Sequence, residues 1–283
     1  MRSVVPRSVV RALLLAGTVA GASACRSKGA EPPHIDLTQF DVVDLTHAYD
    51  AQTLYWPNAP SAFSVDTLAR GPVPGGWFYA ASRFSSPEHG GTHLDAPIHF
   101  DAKGQSSEAI PVSRFLGPAV VIDVTAQAEA NPDYRLTRDD VYRFERAHGP
   151  IGRGMMVLLR TGWSRRWPDR KAYLGDDRPG RTDALHFPSY GVDAAELLVR
   201  SRQVAALGVD VASIDIGQST DFRVHRLAAA SNVLGLENLT NLEAVPPTGA
   251  VLVALPMKIR GGTGGPLRAV ALVPRLPGAP SRP

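Results

Sequence analysis

Cysteine is almost absent from this chain. Its single copy, Cys25, sits near the N-terminus. The remainder therefore has no disulfide and no thiol nucleophile, and its stability must come from core packing and any bound metal. No G-x-S-x-G elbow occurs either, so an activated serine has no support. Runs of one charge are missing too. The net charge is only +3, and the densest basic pairs, Arg165-Arg166 and Arg170-Lys171, suit solvated loops. Nucleic acid is thereby excluded as a partner. There is no apolar run long enough to span a bilayer, no internal repeat and no second linker. At 283 residues with 44% hydrophobic side chains, the chain can build the core of one large α/β domain.

The N-terminus reads as an export signal over residues 1–25. Arg2, Arg7 and Arg11 precede a short apolar core at 12–20, and Ala22-Ser23-Ala24 supply small residues before Cys25. The placement of Cys25 resembles a bacterial lipoprotein signal, in which the cysteine carries the lipid. The alternative is ordinary cleavage, since Ala22 stands where leucine is commoner. The expectation is an exported protein, lipid-anchored in the bacterial cell envelope, or periplasmic if it is cut without lipidation. Residues 26–36 read as a tether, 37–276 as the functional domain, and 277–283 as an irregular tail.

Short apolar or β-branched runs bounded by turn residues predict buried strands at 41–45, 120–124, 155–160, 205–209 and 251–255. Helices are predicted at 137–148, with Thr137 as N-cap, at 192–201 and at 219–230. Strands outnumber helices without alternating strictly with them, which argues against a Rossmann sheet.

Residues 89–100, His-Gly-Gly-Thr-His-Leu-Asp-Ala-Pro-Ile-His-Phe, carry the chemistry. Neutral imidazoles and a carboxylate are the donors preferred by borderline divalent ions such as Zn2+ and Mn2+. In an extended run His93, Asp95 and His99 share a face, and Gly90-Gly91 allows a bend that returns His89 to them. Core histidines in a half-buried strand are the bland alternative. His89, His93 and Asp95 are the primary candidate ligands. His99 is open between ligand and proton shuttle. Four residues of extended chain separate it from Asp95 by roughly 13 Å at ~3.3 Å per residue, too far to share an ion unless Pro97 turns the chain. Trp56 and the run Trp77-Phe78-Tyr79 are candidates to line a pocket for a flat aromatic substrate.

The pattern H-G-G-T-H-x-D-x-P-x-H-F resembles the signature of the metal-dependent cyclase family, which includes bacterial kynurenine formamidases and isatin hydrolases. Val43-Asp44-Leu45-Thr46-His47 with Trp56-Pro57, Gly208-Val209-Asp210 with Ser213-Ile214-Asp215, His225, and Leu236 to Leu242 around Glu237 extend the similarity. Leu255-Pro256-Met257-Lys258 and the Gly-rich run 261–265 look like the family's final strand and loop. The segment from Thr161 to Pro188, and Gly217 to Phe222, look closer to the isatin hydrolase branch. The resemblance implies a mixed-sheet swivelling β/β/α fold of the α/β class. It implies that His89, His93 and Asp95 hold a first ion, that His225 and Glu237 complete a second position through Asp95, and that His99 moves protons. One ion or two stays open. Trp56 is implied as a pocket residue, and Gln218 and Ser219 as groups near substrate or bound water. The implied reaction is hydrolysis of an amide C–N bond by metal-bound hydroxide with His99 as acid/base. The preferred substrate is a cyclic amide fused to an aromatic ring, as in isatin; N-formylkynurenine is the alternative. A non-catalytic metal- or solute-binding lipoprotein is the rival from another class. Homo-oligomers are common in the family.

Overall fold

The computed structural model describes residues 36–275. The chain separates into Met1–Asp36 and Leu37–Pro283, and all that is described, apart from Asp36, belongs to the second unit. The export signal, Cys25, the tether up to residue 35 and the tail 277–283 lie outside the described residues.

The strands in chain order are β1 (Phe40–Asp44), β2 (Ser64–Pro72), β3 (Phe78–Ser85), β4 (His93–Asp95), β5 (Leu116–Asp123), β6 (Arg135–Leu136), β7 (Met156–Arg160), β8 (Ser189–Tyr190), β9 (Ala206–Val209), β10 (Leu234–Glu237), β11 (Ala250–Pro256) and β12 (Gly264–Pro274). The α-helices are α1 (Thr125–Ala130), α2 (Arg138–His148), α3 (Arg170–Leu174), α4 (Val192–Glu196) and α5 (Arg223–Ala230). The main sheet runs β1-β12-β11-β5-β7-β9-β10-β4, parallel from β5 to β10 and antiparallel elsewhere. β12 also pairs with β4, Gly264 opposite Asp95, so the sheet closes on itself in a barrel-like ring. A Cβ on Gly264 would lie 2.6 Å from the His89 ring, so only glycine permits this closure.

The closed sheet explains why its strands read as continuous apolar runs: both faces are buried. Along β5, Ala119 and Val121 point into the ring, while Val120 and Ile122 point out towards the helices. β7 repeats the alternation, with Met156 and Leu158 inside and Val157 and Leu159 outside. Each fully buried Val or Leu contributes about 1.5–3 kcal/mol relative to exposure.

All five predicted strands are present, with ends shifted by a few residues at most. α2 begins as expected: Thr137 Oγ1 accepts from the Asp140 backbone N–H while the Asp140 carboxylate accepts from Thr137 N, a box worth ~1 kcal/mol. Two helices differ. The segment predicted at 192–201 is α-helical only to Glu196 and continues as a π-helix over Leu197–Arg202. The helix predicted from 219 begins at Arg223, because Phe222 takes φ +48° and Asp215, from outside the helix, accepts the N–H groups of Val224 and His225. The Gly-rich run read as a closing loop instead leads into β12, the longest strand described.

His47 stacks on Trp167 at 4.3 Å between ring centroids, with its Nε2 buried and unpartnered among the described residues. Burial pushes its pKa down to about 4. The unfolded chain therefore binds a proton at higher pH than the folded one, and this contribution to stability is lost as pH falls from about 6.5 to about 4. In metal-free protein, His47→Phe is expected to flatten the decline in urea-unfolding stability across that window, by no more than about 3 kcal/mol given the partial exposure of the ring. An unchanged pH slope would contradict this.

Candidate active site

β4 and β10 run antiparallel, with Glu237 opposite His93 and Gly235 opposite Asp95. Leu94 and Leu236 point into the ring, so the strand period turns His93, Asp95 and Glu237 out towards the helices. α5 covers that face and lowers His225 onto the carboxylates. Its Nε2 lies 3.1 Å from Asp95 Oδ2 and 3.0 Å from Glu237 Oε1. Gly91, at φ +57°, turns the chain ahead of β4, and a Cβ there would sit 2.6 Å from the Tyr49 ring. This turn returns His89, whose Nδ1 lies 2.7 Å from Asp95 Oδ1. His93 Nε2 is 3.3 Å from that same oxygen and 3.5 Å from Glu237 Oε2.

All five expected ligands therefore meet around Asp95. His89 and His93 share Asp95 Oδ1 while His225 lies between Asp95 Oδ2 and Glu237, the expected grouping; donor atoms within 4.8 Å of one another also form the sets His93–Asp95–Glu237 and His89–Asp95–His99. Burial opposes charge on Asp95, but hydrogen bonds from His225 and His89 outweigh it and hold the carboxyl well below its usual range.

Three imidazoles have their outer nitrogens tied down. His93 Nδ1 donates to the Gly91 carbonyl at 3.0 Å, and His225 Nδ1 lies 2.7 Å from Asp215 Oδ2. His89 Nε2 meets Thr263 Oγ1 at 2.8 Å. That hydroxyl gives its one proton to Glu88 Oε2 at 2.5 Å, so it accepts from His89. In each ring the other nitrogen faces the cluster; where it gives up its proton it offers a lone pair to an ion, the arrangement that orients metal-ligating histidines. His93 Nε2 is buried without a hydrogen-bond partner among the described residues. A divalent ion fits this donor set: it satisfies the orphaned nitrogen and is neutralised by two buried carboxylates.

His99 differs from these three. Pro97 opens a 3-10 turn over Pro97–His99, which folds the chain back, so the extended separation of His99 from Asp95 does not apply. Its ring stacks on His89 at 3.7 Å, yet no described residue hydrogen-bonds either of its nitrogens. Burial, with the adjacent His89, His225 and His93, outweighs the pull of Asp95 and lowers its pKa to about 4. Near neutral pH it is an uncharged imidazole with an unfixed tautomer.

A cavity of about 320 Å³ opens over the cluster, walled by Leu54, Tyr55, Trp56, Phe100 and Phe222, within the size range of small-ligand pockets. Trp56 is thus where the sequence placed it. The other proposed substrate contacts are not. Trp77 and Phe78 stand 58% and 64% exposed on the β2–β3 hairpin, because their local apolarity faces no core. Gln218 bonds to Asp133 and His186 near the surface, and Ser219 lies behind the site at 3.3 Å from Asp215 Oδ1. The sequence reading left out Phe100, next to His99, and Phe222, at the end of the quoted run from Gly217, together with the orienting groups Asp215, Thr263 and Glu88.

Comparison with known proteins places the whole chain. The Cyclase family model, described as "Putative cyclase", matches residues 43–216. An isatin hydrolase from Roseibium aggregatum is 38% identical over 71% of this chain and 77% of its own length. A kynurenine formamidase from Salinibacter ruber is 29% identical over 81% of this chain and 96% of its own. The solved isatin hydrolase A from Ralstonia solanacearum superposes with a TM-score of 0.75 at 36% identity, covering 83% of this chain and 93% of that one. With that model spanning more than half of its residues, this chain belongs to the Cyclase family.

Proposed function

We propose that this chain is a metal-dependent hydrolase of an amide C–N bond, and that its substrate is a cyclic amide fused to an aromatic ring. One observation carries the reading: five oriented donor groups converge beside a neutral, untethered His99 beneath an aromatic-walled cavity. The similarity to isatin hydrolase supports the substrate class. His89, His93, Asp95, His225 and Glu237 would hold one or two ions, Mn2+ or Zn2+ by donor type. A bound divalent ion supplies Lewis acidity, polarising the carbonyl and lowering the pKa of water to about 7.

The chain's own residues do the rest. Trp56, Phe100 and Phe222 grip the aromatic ring and keep bulk water from the carbonyl. His99 accepts a proton from the attacking water as the C–O bond forms, then returns it to nitrogen as the C–N bond breaks. Asp215, Thr263 and the Gly91 carbonyl keep the other three imidazoles aligned throughout.

The test compares kcat/KM of metal-reconstituted protein for isatin, N-formylkynurenine and an aliphatic formamide. Isatin is expected to be preferred by at least about tenfold, a ~1.4 kcal/mol difference in transition-state stabilisation. A reversed order would make the protein an arylformamidase. Turnover of none of them would favour the non-catalytic binding protein. A homo-oligomer belongs to the same proposal, supported by the exposed Leu68, Trp77, Phe78 and Phe84 on the β2–β3 hairpin.

Export with lipid attachment at Cys25 is also proposed, from Ala22-Ser23-Ala24-Cys25 after the apolar core. A diacylated terminus gives stable anchoring at about 0.8 kcal/mol per buried CH₂. Cys25→Ser is expected to leave the membrane fraction or remain an uncut precursor. Detergent-requiring membrane association that persists in this variant would contradict it.

A further inference from the structure

We infer that Asn238, backed by Tyr173, is a positioning residue that fixes the imidazole of His93 towards the metal site; this rests on the metal-centre reading above. Asn238 follows Glu237 at the end of β10, is 3% exposed, and adopts φ +55°. Its Nδ2 donates to the Gly91 carbonyl at 2.8 Å, and its Oδ1 accepts from the Tyr173 hydroxyl at 2.9 Å. The amide orientation is forced, because a carbonyl only accepts and so must face the NH₂ group. The hydroxyl of Tyr173, a wholly buried residue, is then the donor to Oδ1. The Asn238 backbone carbonyl takes the Thr92 hydroxyl at 2.6 Å. Asn238 thus grips both residues that lead into His93.

The consequence lies at Gly91. Its carbonyl accepts from Asn238 Nδ2 and from His93 Nδ1 at once. Tyr49 reaches the Gly90 and Thr92 carbonyls on either side and Leu54 accepts from the Gly91 N–H, but the Gly91 carbonyl itself is held from outside this segment by the Asn238 amide. Held by Asn238, it keeps the His93 proton on Nδ1 and the Nε2 lone pair on the cluster. Released, it allows the other tautomer, which places a proton where the ion binds. Loss of such an outer partner typically weakens metal binding 10–100-fold.

The variant of choice is Asn238→Gly, since glycine adopts φ +55° without strain and only the amide is removed. Metal-free protein is titrated with zinc against a chromophoric chelator, and the His93 ring nitrogens are read by 15N NMR. The parent is expected to bind zinc and to show the Nδ1–H pattern. Asn238→Gly is expected to bind zinc 10–100-fold more weakly and to show mixed tautomers. Tyr173→Phe should move both readouts the same way by less, and it remains informative if the glycine variant misfolds. Zinc affinity within about twofold of the parent in both variants overturns the inference. So does weaker binding with the His93 pattern unchanged, which would make Asn238 merely structural. A parent that binds neither zinc nor manganese overturns the metal-centre reading itself, and this inference with it.

Discussion

Asp95→Ala is expected to remove bound metal and activity together. Both oxygens of Asp95 are committed: Oδ1 lies 2.7 Å from His89 Nδ1 and Oδ2 3.1 Å from His225 Nε2. Its side chain is 7% exposed, so water does not take its place readily. Removing one member of a buried charge cluster costs about 3–5 kcal/mol, which, if it falls on metal binding, corresponds to affinity weaker by on the order of 10²–10⁴-fold. Asp95→Asn keeps the shape and loses the charge, and should fall in the same direction. Metal content after gel filtration, measured beside kcat/KM on one sample, checks this. Full metal stoichiometry in Asp95→Ala would contradict the assignment of the central ligand.

His99→Ala is expected to separate the two effects. Bound metal should stay near the parent's value while kcat falls by roughly 10²–10⁴-fold, the usual loss on removing a general acid–base group. The reasoning is comparative: His89, His93 and His225 each have an acceptor for the outer proton, whereas His99 has none among the described residues. A group that must load and release a proton is better left untethered. Its nitrogen still lies within 4.8 Å of the donor atoms of His89 and Asp95. Metal loss in proportion to rate loss would therefore make His99 a ligand and leave the proton carrier unassigned.

The parts of this molecule that were legible in the sequence are those set by local rules. The pair His93 and Asp95 share a face because strand residues alternate, and the Thr137 cap needs only its own first turn. The buried strands β5, β7 and β9 announce themselves because both of their faces are covered. What was illegible depends on pairing across the chain. Thr263 meets His89 over 174 residues, and Asn238 meets Gly91 over 147. No local pattern encodes either contact. Pro97 decides a point that spacing leaves open: it stands at the first position of a 3-10 turn, where its fixed φ suits a helix, so it turns the chain and the extended separation of His99 from Asp95 does not hold. Trp77 and Phe78 misled because an apolar side chain in a strand pair does not reveal whether a core lies opposite it.

The central claim is that the His–Asp–Glu cluster acts through a divalent ion, and metal dependence tests it most directly. Protein dialysed against a strong chelator is assayed for metal and for turnover on one sample, then titrated with Mn2+ or Zn2+. The account predicts that turnover falls to background with the metal and returns in proportion to the ion restored. Full turnover by protein carrying no metal would contradict it.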